Sequence, residues 1–184
     1  MNIFILSDDP VEAARQQCDK HIVKMPVESA QMLSTVHRMI DGSETRKPSK
    51  SGKTMIKYWE LDDSRENVLY KAVHYNHPCT VWSRESVANY LWHFEHFRAL
   101  LNEFSRRFGK THKSEMLLDA LSMPPVNLRG DKMTAYKLAM NSAPWCIDPS
   151  DPIGSYRKFY ITKRSRFEMK WEKGTPAPDW FLSA

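Results

Sequence analysis

Residues 83–108, SRESVANYLWHFEHFRALLNEFSRRF, constrain this chain more than any other stretch. Val87, Leu91, Phe94, Leu101, Phe104 and Phe108 recur at intervals of three and four, and Gly109 supplies a C-terminal stop. A helix of ~26 residues would span ~39 Å and needs other elements to cover its apolar stripe. The remaining apolar segments have helical spacing or are short. No sustained β alternation and no internal repeat occurs. The expected fold is all-α: one helical domain over residues 1–184, with long polar loops.

The other elements follow from local signals. Residues 2–6, NIFIL, read as a short strand or a buried N-terminal tail. Asp8, Asp9 and Pro10 mark a helix start. That helix is expected to run to about residues 18–24, with a kink or a fresh start at Pro26, which cannot donate a backbone hydrogen bond. It then continues to about Ile40. Residues 41–66, rich in Gly, Ser and Lys in their first half, read as a basic flexible loop. Residues 67–74 suggest a short helix or turn and residues 114–121 a shorter helix. Residues 123–151, with five prolines and glycines, read as loop. A last helix is expected from Asp151-Pro152 to about Lys170, followed by an extended C-terminal tail over 172–184.

Composition bounds the class of function. With 41% hydrophobic and 11% aromatic residues the chain is globular rather than disordered. Three cysteines, Cys18, Cys79 and Cys146, without a C-x-x-C pair, argue against a disulfide framework and for a reducing cytoplasm. The N-terminus has no basic n-region, so no signal peptide is expected. No apolar run approaches the ~20 residues that span a bilayer, so no membrane partner is expected. The net charge of +5 favours polyanions. There is no P-loop, no dinucleotide-binding glycine fingerprint, no G-x-S-x-G and no H-E-x-x-H.

Three segments carry residues capable of chemistry. In CDKHIVKMPVESAQML (18–33), His21, Lys24 and Glu28 fall on one helical face if the helix survives Pro26, with Asp19 and Lys20 beside them. A surface ion-pair stripe is the plainer account of that spacing. The neighbouring Ile22, Val23, Met25 and Met32 argue instead for partial burial of an acid/base cluster. In VHYNHPCTVWSR (73–84), Asn76, His77 and Arg84 precede the long helix, where phosphate binding is natural. In YRKFYITKRSRFEMKW (156–171), Arg157, Lys163 and Arg164 belong to a run of basic residues interleaved with aromatics, which suits phosphates and bases. His112 and Lys113 extend that basic face. Cys18, His21, His77 and Cys79 are types that bind zinc, but at uncommon spacings; no metal and no cofactor is expected.

These residues support a resemblance. The short N-terminal segment leads into a helix carrying Asp19-Lys20-His21, with Glu28 seven residues after the histidine. This is similar to the active-site helix of the pyrimidine-dimer DNA glycosylases of the phage endonuclease V type. Asn76-His77-Pro78 and the long helix ending Arg107-Phe108-Gly109-Lys110 resemble elements of bacterial proteins grouped with that family. A group of phage proteins carries similar Cys-Asp-Lys-His and Asn-His-Pro-Cys elements. The resemblance is at the level of motifs and covers about half the chain. It implies a small helical fold and a positive surface for damaged or modified duplex DNA. It also implies metal-free glycosylase and lyase chemistry in DNA repair or modification. In that family an N-terminal amine attacks C1′ to form an imine, and a glutamate assists base loss and strand cleavage. Glu28 matches that glutamate and His21 the histidine.

The chain departs from the family pattern at three points. Asn2 follows Met1, before which methionine is usually retained, so the amine would be that of Met1, or of Lys20 or Lys24. Val27 stands where the family has an arginine, and Pro26 is out of pattern. Two other readings stay open: a transferase in phage DNA base hypermodification, and a non-enzymatic protein that binds nucleic acid or a host partner. A monomer acting in the cytoplasm is expected.

Overall fold

The computed structural model describes residues 1–49 and 51–184. Lys50, inside the expected 41–66 loop, lies outside the described residues. The long periodic stretch forms α5, Val87–Phe108. Ser86 caps its start, its Oγ accepting from the Asn89 N–H, and Gly109 ends it in the left-handed conformation with φ 63°. The two residues at positions 83 and 84 that were expected to open this helix belong to a separate short helix, α4, Pro78–Ser83, and its C-terminal cap.

The elements α1, Pro10–Arg15, and α2, Asp19–Asp41, make the most extensive packing on α5. Asp9 caps α1 by accepting from the Val11 and Glu12 N–H groups, both at 2.8 Å. The chain then breaks at residues 16–18, and α2 begins seven residues before Pro26, which the helix carries in its interior. Tertiary contacts place that break. The Arg107 guanidinium, from the last turn of α5, donates to the carbonyls of Arg15 and Gln17 and to the Asp19 carboxylate. It thereby satisfies carbonyls that the end of α1 leaves open.

The all-α expectation holds in part. The fold is mainly helical, but residues expected to form a flexible loop pair as an antiparallel hairpin, β1 (Ser43–Pro48) with β2 (Met55–Glu60). Cross-strand ion pairs, Lys57–Glu44 and Lys47–Glu60, link the two strands. Tyr58 and Trp59 are buried at the hairpin's base. Arg38, buried in α2, locks it there. Its guanidinium donates to the carbonyls of Trp59, Glu66, Leu69 and Tyr70 and to the Glu66 carboxylate at 2.5 Å.

The remaining elements are short: α3 (Arg65–Val68), α6 (Leu118–Leu121), α7 (Pro152–Ile161) and α8 (Asp179–Leu182). The last expected helix is therefore cut short. After α7 a 3-10 turn runs over Thr162–Ser165, where the hydroxyls of Thr162 and Ser165 donate to the carbonyls of Phe159 and Thr162 and compete with further helix. The chain continues irregularly past Lys170, whose carbonyl accepts from the Asp19 N–H. The tail is not simply extended either, because α8 buries Phe181. Residues 2–6 are a buried irregular tail rather than a strand. Ile3, Phe4, Ile5 and Leu6 pack in one core cluster with α1 and α7, while a second cluster joins α2, α5 and α6. Among the described residues no helix is long and apolar enough to cross a membrane.

Arg38 holds the hairpin and the α3 region by one side chain, and its loss strands several carbonyls and a carboxylate. Arg38→Ala is expected to lower unfolding free energy in urea by ~3 kcal/mol or more. A change under ~1 kcal/mol would mean that the network is not structural.

Candidate functional site

The first turns of α2 face the N-terminal tail. There Lys20, His21, Lys24 and Glu28 line a cavity of about 410 Å³. Met1, Asn2 and Phe4 close one side, and Ala139 and Ser142 contribute from the irregular segment before α7. Phe159, Lys163, Arg166 and Phe167 complete the wall. The volume falls within the ~300–1,000 Å³ usual for small-ligand sites.

Among the described residues Glu28 is the only acid on this wall, and it is buried. Its carboxylate accepts from the Asn2 backbone N–H at 3.1 Å and lies 3.7 Å from the Met1 amine and 2.8 Å from Lys24 Nζ. Asn2 anchors the tail from both ends of its amide. Its Nδ2 donates to the Ala139 carbonyl at 2.7 Å, and its Oδ1 accepts from the Phe4 N–H at 2.8 Å. The second bond holds Phe4 at φ 57°, a left-handed conformation that costs a non-glycine residue ~1–3 kcal/mol. The strain places the Phe4 ring on His21, stacked at 5.0 Å.

His21 is neutral. Its Nδ1 lies 2.7 Å from the Tyr160 hydroxyl, whose oxygen also accepts from the Cys18 N–H. A phenol donating to Nδ1 leaves Nε2 carrying the ring proton. Burial, reinforced by Lys24, Lys163 and Lys20, pushes the His21 pKa down to about 3. Lys163 is also buried, with Nζ 3.4 Å from the Phe159 ring centroid. Burial and the charges of Arg166 and Lys24, partly opposed by Cys146, lower its pKa to about 8. Lys20 sits over the Phe167 ring at 4.5 Å. Five cations, counting the Met1 amine, face one carboxylate across aromatic walls, so the cavity suits an anion bearing a flat or sugar-like group.

The five residues expected to be catalytic, Met1, Lys20, His21, Lys24 and Glu28, thus share one cavity. His77 adjoins it from outside the wall. It caps α4, its Nδ1 accepting from the Cys79 N–H at 3.2 Å. Burial and the nearby Met1 amine lower its pKa, against Glu28 and a hydrogen bond with the Met1 backbone.

Of the other residues expected to bind nucleic acid, Lys163 joins the cavity wall and the rest do not. Asn76 is exposed and outside it, and Lys113 is exposed elsewhere. Arg84 is turned to the Tyr75 carbonyl and the Met39 sulfur. His112 is buried against Phe104 and caps the 3-10 turn before α6, so it offers no face to a ligand. Arg157 donates to the Leu6 carbonyl, and Arg164 to the carbonyls of Phe181 and Ala184. Both arginines tie segments near the chain termini, and Arg164 remains exposed. Lys163, expected as an outer phosphate contact, is a buried amine on the cavity wall.

Sequence reasoning missed Asn2, Phe4, Ser142 and Phe159 as site residues. Only the tail's apolar character hinted at Phe4. Among the described residues no His, Cys, Asp and Glu cluster is arranged to hold a metal. No protein-family model, no curated protein and no solved structure matches this chain.

His21, His37, His93 and His96 are buried and held neutral, His21 and His96 with pKa values near 3 and His37 near 4. The unfolded chain takes up these protons near pH ~6.5, so the stability they contribute is present above that pH and is lost as pH falls through the gap. Each histidine can remove up to ~1.4 kcal/mol per pH unit there. The melting temperature is expected to be flat above pH ~7 and to fall steeply from ~6 toward 4.5. A flat profile down to 4.5 would contradict neutral burial.

Proposed function

We propose that this protein is a DNA-processing enzyme of glycosylase and lyase type. In this reading it acts on a damaged, modified or abasic nucleotide through an amine, with Glu28 moving protons. The observation that carries the reading is the Met1 amine set 3.7 Å from the buried Glu28 carboxylate inside a cationic, aromatic-lined cavity. The reading also draws on the motif resemblance around Asp19-Lys20-His21 and Glu28. A surface ion-pair stripe would leave Glu28 in water, whereas Glu28 is buried.

In this proposal the target nucleotide leaves the stack to reach the cavity, since its C1′ is inaccessible in a closed duplex. Lys20, Lys24 and Arg166 meet its flanking phosphates. Phe4 and Phe167 give it apolar faces. Glu28 first takes a proton from the Met1 ammonium it faces; the freed amine nitrogen bonds to C1′ as the glycosidic bond breaks, and the departing base takes a proton from the nitrogen. The ring oxygen takes a second proton as the sugar opens to the iminium, and Glu28 is placed to deliver it. With Glu28 ionised again, it can accept the C2′ proton as the 3′ phosphate leaves. Neutral His21, an N–H donor at Nε2, positions the substrate without adding charge.

Incubation with duplex DNA containing an abasic site, followed by borohydride, is expected to leave a covalent protein–DNA adduct, and peptide mapping identifies the amine. Glu28→Gln is expected to slow strand cleavage by ~10²–10⁴-fold while changing DNA affinity far less. No adduct on abasic, damaged or modified DNA, with tight binding retained, would overturn the reading.

A further inference from the structure

Lys163 stands apart from the other described lysines. It follows α7 in the 3-10 turn of Thr162–Ser165, and its side chain is drawn inward rather than along the surface. Its Nζ sits 3.4 Å from the Phe159 ring centroid and 6.0 Å from that of Phe4, and the residue is only 7% exposed. Among the described residues it makes no ion pair with a carboxylate. An ammonium so placed is held by ring faces rather than by an ion pair, and it opens on a cavity already rich in positive charge. Those are conditions that make a lysine amine nucleophilic: apolar surroundings and neighbouring cations.

We infer that Lys163 is a second reactive amine of this cavity, forming a reversible imine with a carbonyl compound that carries a phosphate. The lysine nitrogen bonds to the carbonyl carbon, the two amine protons leave on the former carbonyl oxygen as water, and addition of water reverses the step. Lys20, Lys24 and Arg166 face the phosphate, and Phe4 and Phe167 bracket the carbon skeleton. A ring-opened sugar with adjoining phosphates is one member of this class. The inference rests on the cavity being an amine site, not on DNA as the substrate.

The lowered pKa of about 8 agrees with this placement. The charged and titratable groups acting on or beside Lys163 are Arg166, Lys24, Cys146 and His21. At neutral pH the unprotonated fraction is roughly two to three hundredfold larger than that of an ordinary lysine.

Pyridoxal 5′-phosphate tests the inference, because it joins an aldehyde to a phosphate. The full-length protein is treated with micromolar reagent and borohydride at pH 7.5, digested and mapped by mass spectrometry. The expected result is one dominant adduct per chain, on Lys163. Its rate should be half-maximal near pH 8, and millimolar inorganic phosphate should suppress it. The adduct should be absent in Lys163→Met, whose melting temperature reports folding separately. Labelling spread over exposed lysines, or confined to Met1, with Lys163 unmodified in the wild type, would overturn the inference whether or not the variant folds. The two proposals separate cleanly. Abasic DNA trapped on Met1 with Lys163 inert to pyridoxal phosphate removes this inference and leaves the DNA reading. Lys163 labelling without any DNA adduct does the reverse.

Discussion

A carboxylate taken out of water must be met by charge and hydrogen bonds, or it destabilises the fold by several kcal/mol. Glu28 meets that condition in a way that shapes the rest of the site. Its partners are the Met1 amine, the Asn2 backbone N–H and Lys24, so the first residues of the chain are drawn onto α2. Asn2 then bonds to the Ala139 carbonyl and to the Phe4 N–H, which brings the irregular segment before α7 to the same place and strains Phe4 onto His21. The cavity is what remains between these segments and the turn carrying Lys163.

The electrostatics of the cavity follow from this assembly. The acid lies at the base under the N-terminus, while Lys20 and Lys24 reach the rim on exposed side chains. Between them His21, held neutral by burial and the surrounding lysines, offers a donor without competing for a proton. In the proposed reading Glu28, paired with Lys24 and the Met1 amine, moves protons while the remaining cations of the cavity hold an anion. Such a division suits chemistry at a sugar carbon beside phosphates, where nucleophile, acid/base and phosphate clamp must act at once.

The site's helical half was legible in the sequence because its residues are close in the chain. Lys20, His21, Lys24 and Glu28 share a face by simple helical spacing, and Pro26 did not interrupt it. The long helix α5 was legible for the same reason. What was not legible came from contacts far apart in sequence. Arg107 decides where α1 ends, Arg38 fixes a hairpin whose local composition reads as loop, and Ala139 anchors Asn2. The basic run at 156–171 shows the limit most clearly. Its charges suggested one outward face, yet Arg157 and Arg164 close on backbone carbonyls and Lys163 turns inward, because the termini pass beneath them. Counting charges along a helix cannot reveal which of them the rest of the fold will engage.

The claim on which this account rests is that a phosphate-bearing ligand enters beside the N-terminus, over Glu28. The ten methionines allow this to be read directly. With methyl-labelled methionine, proton–carbon spectra are recorded while a short duplex carrying a tetrahydrofuran abasic analogue, which cannot form an imine, is added. The Met1 methyl, on the cavity wall, is expected to shift and saturate, while the exposed Met116 and Met123 stay in place. A Met1 signal that is unmoved at saturating duplex, or shifts centred on Met116 and Met123, would contradict the account.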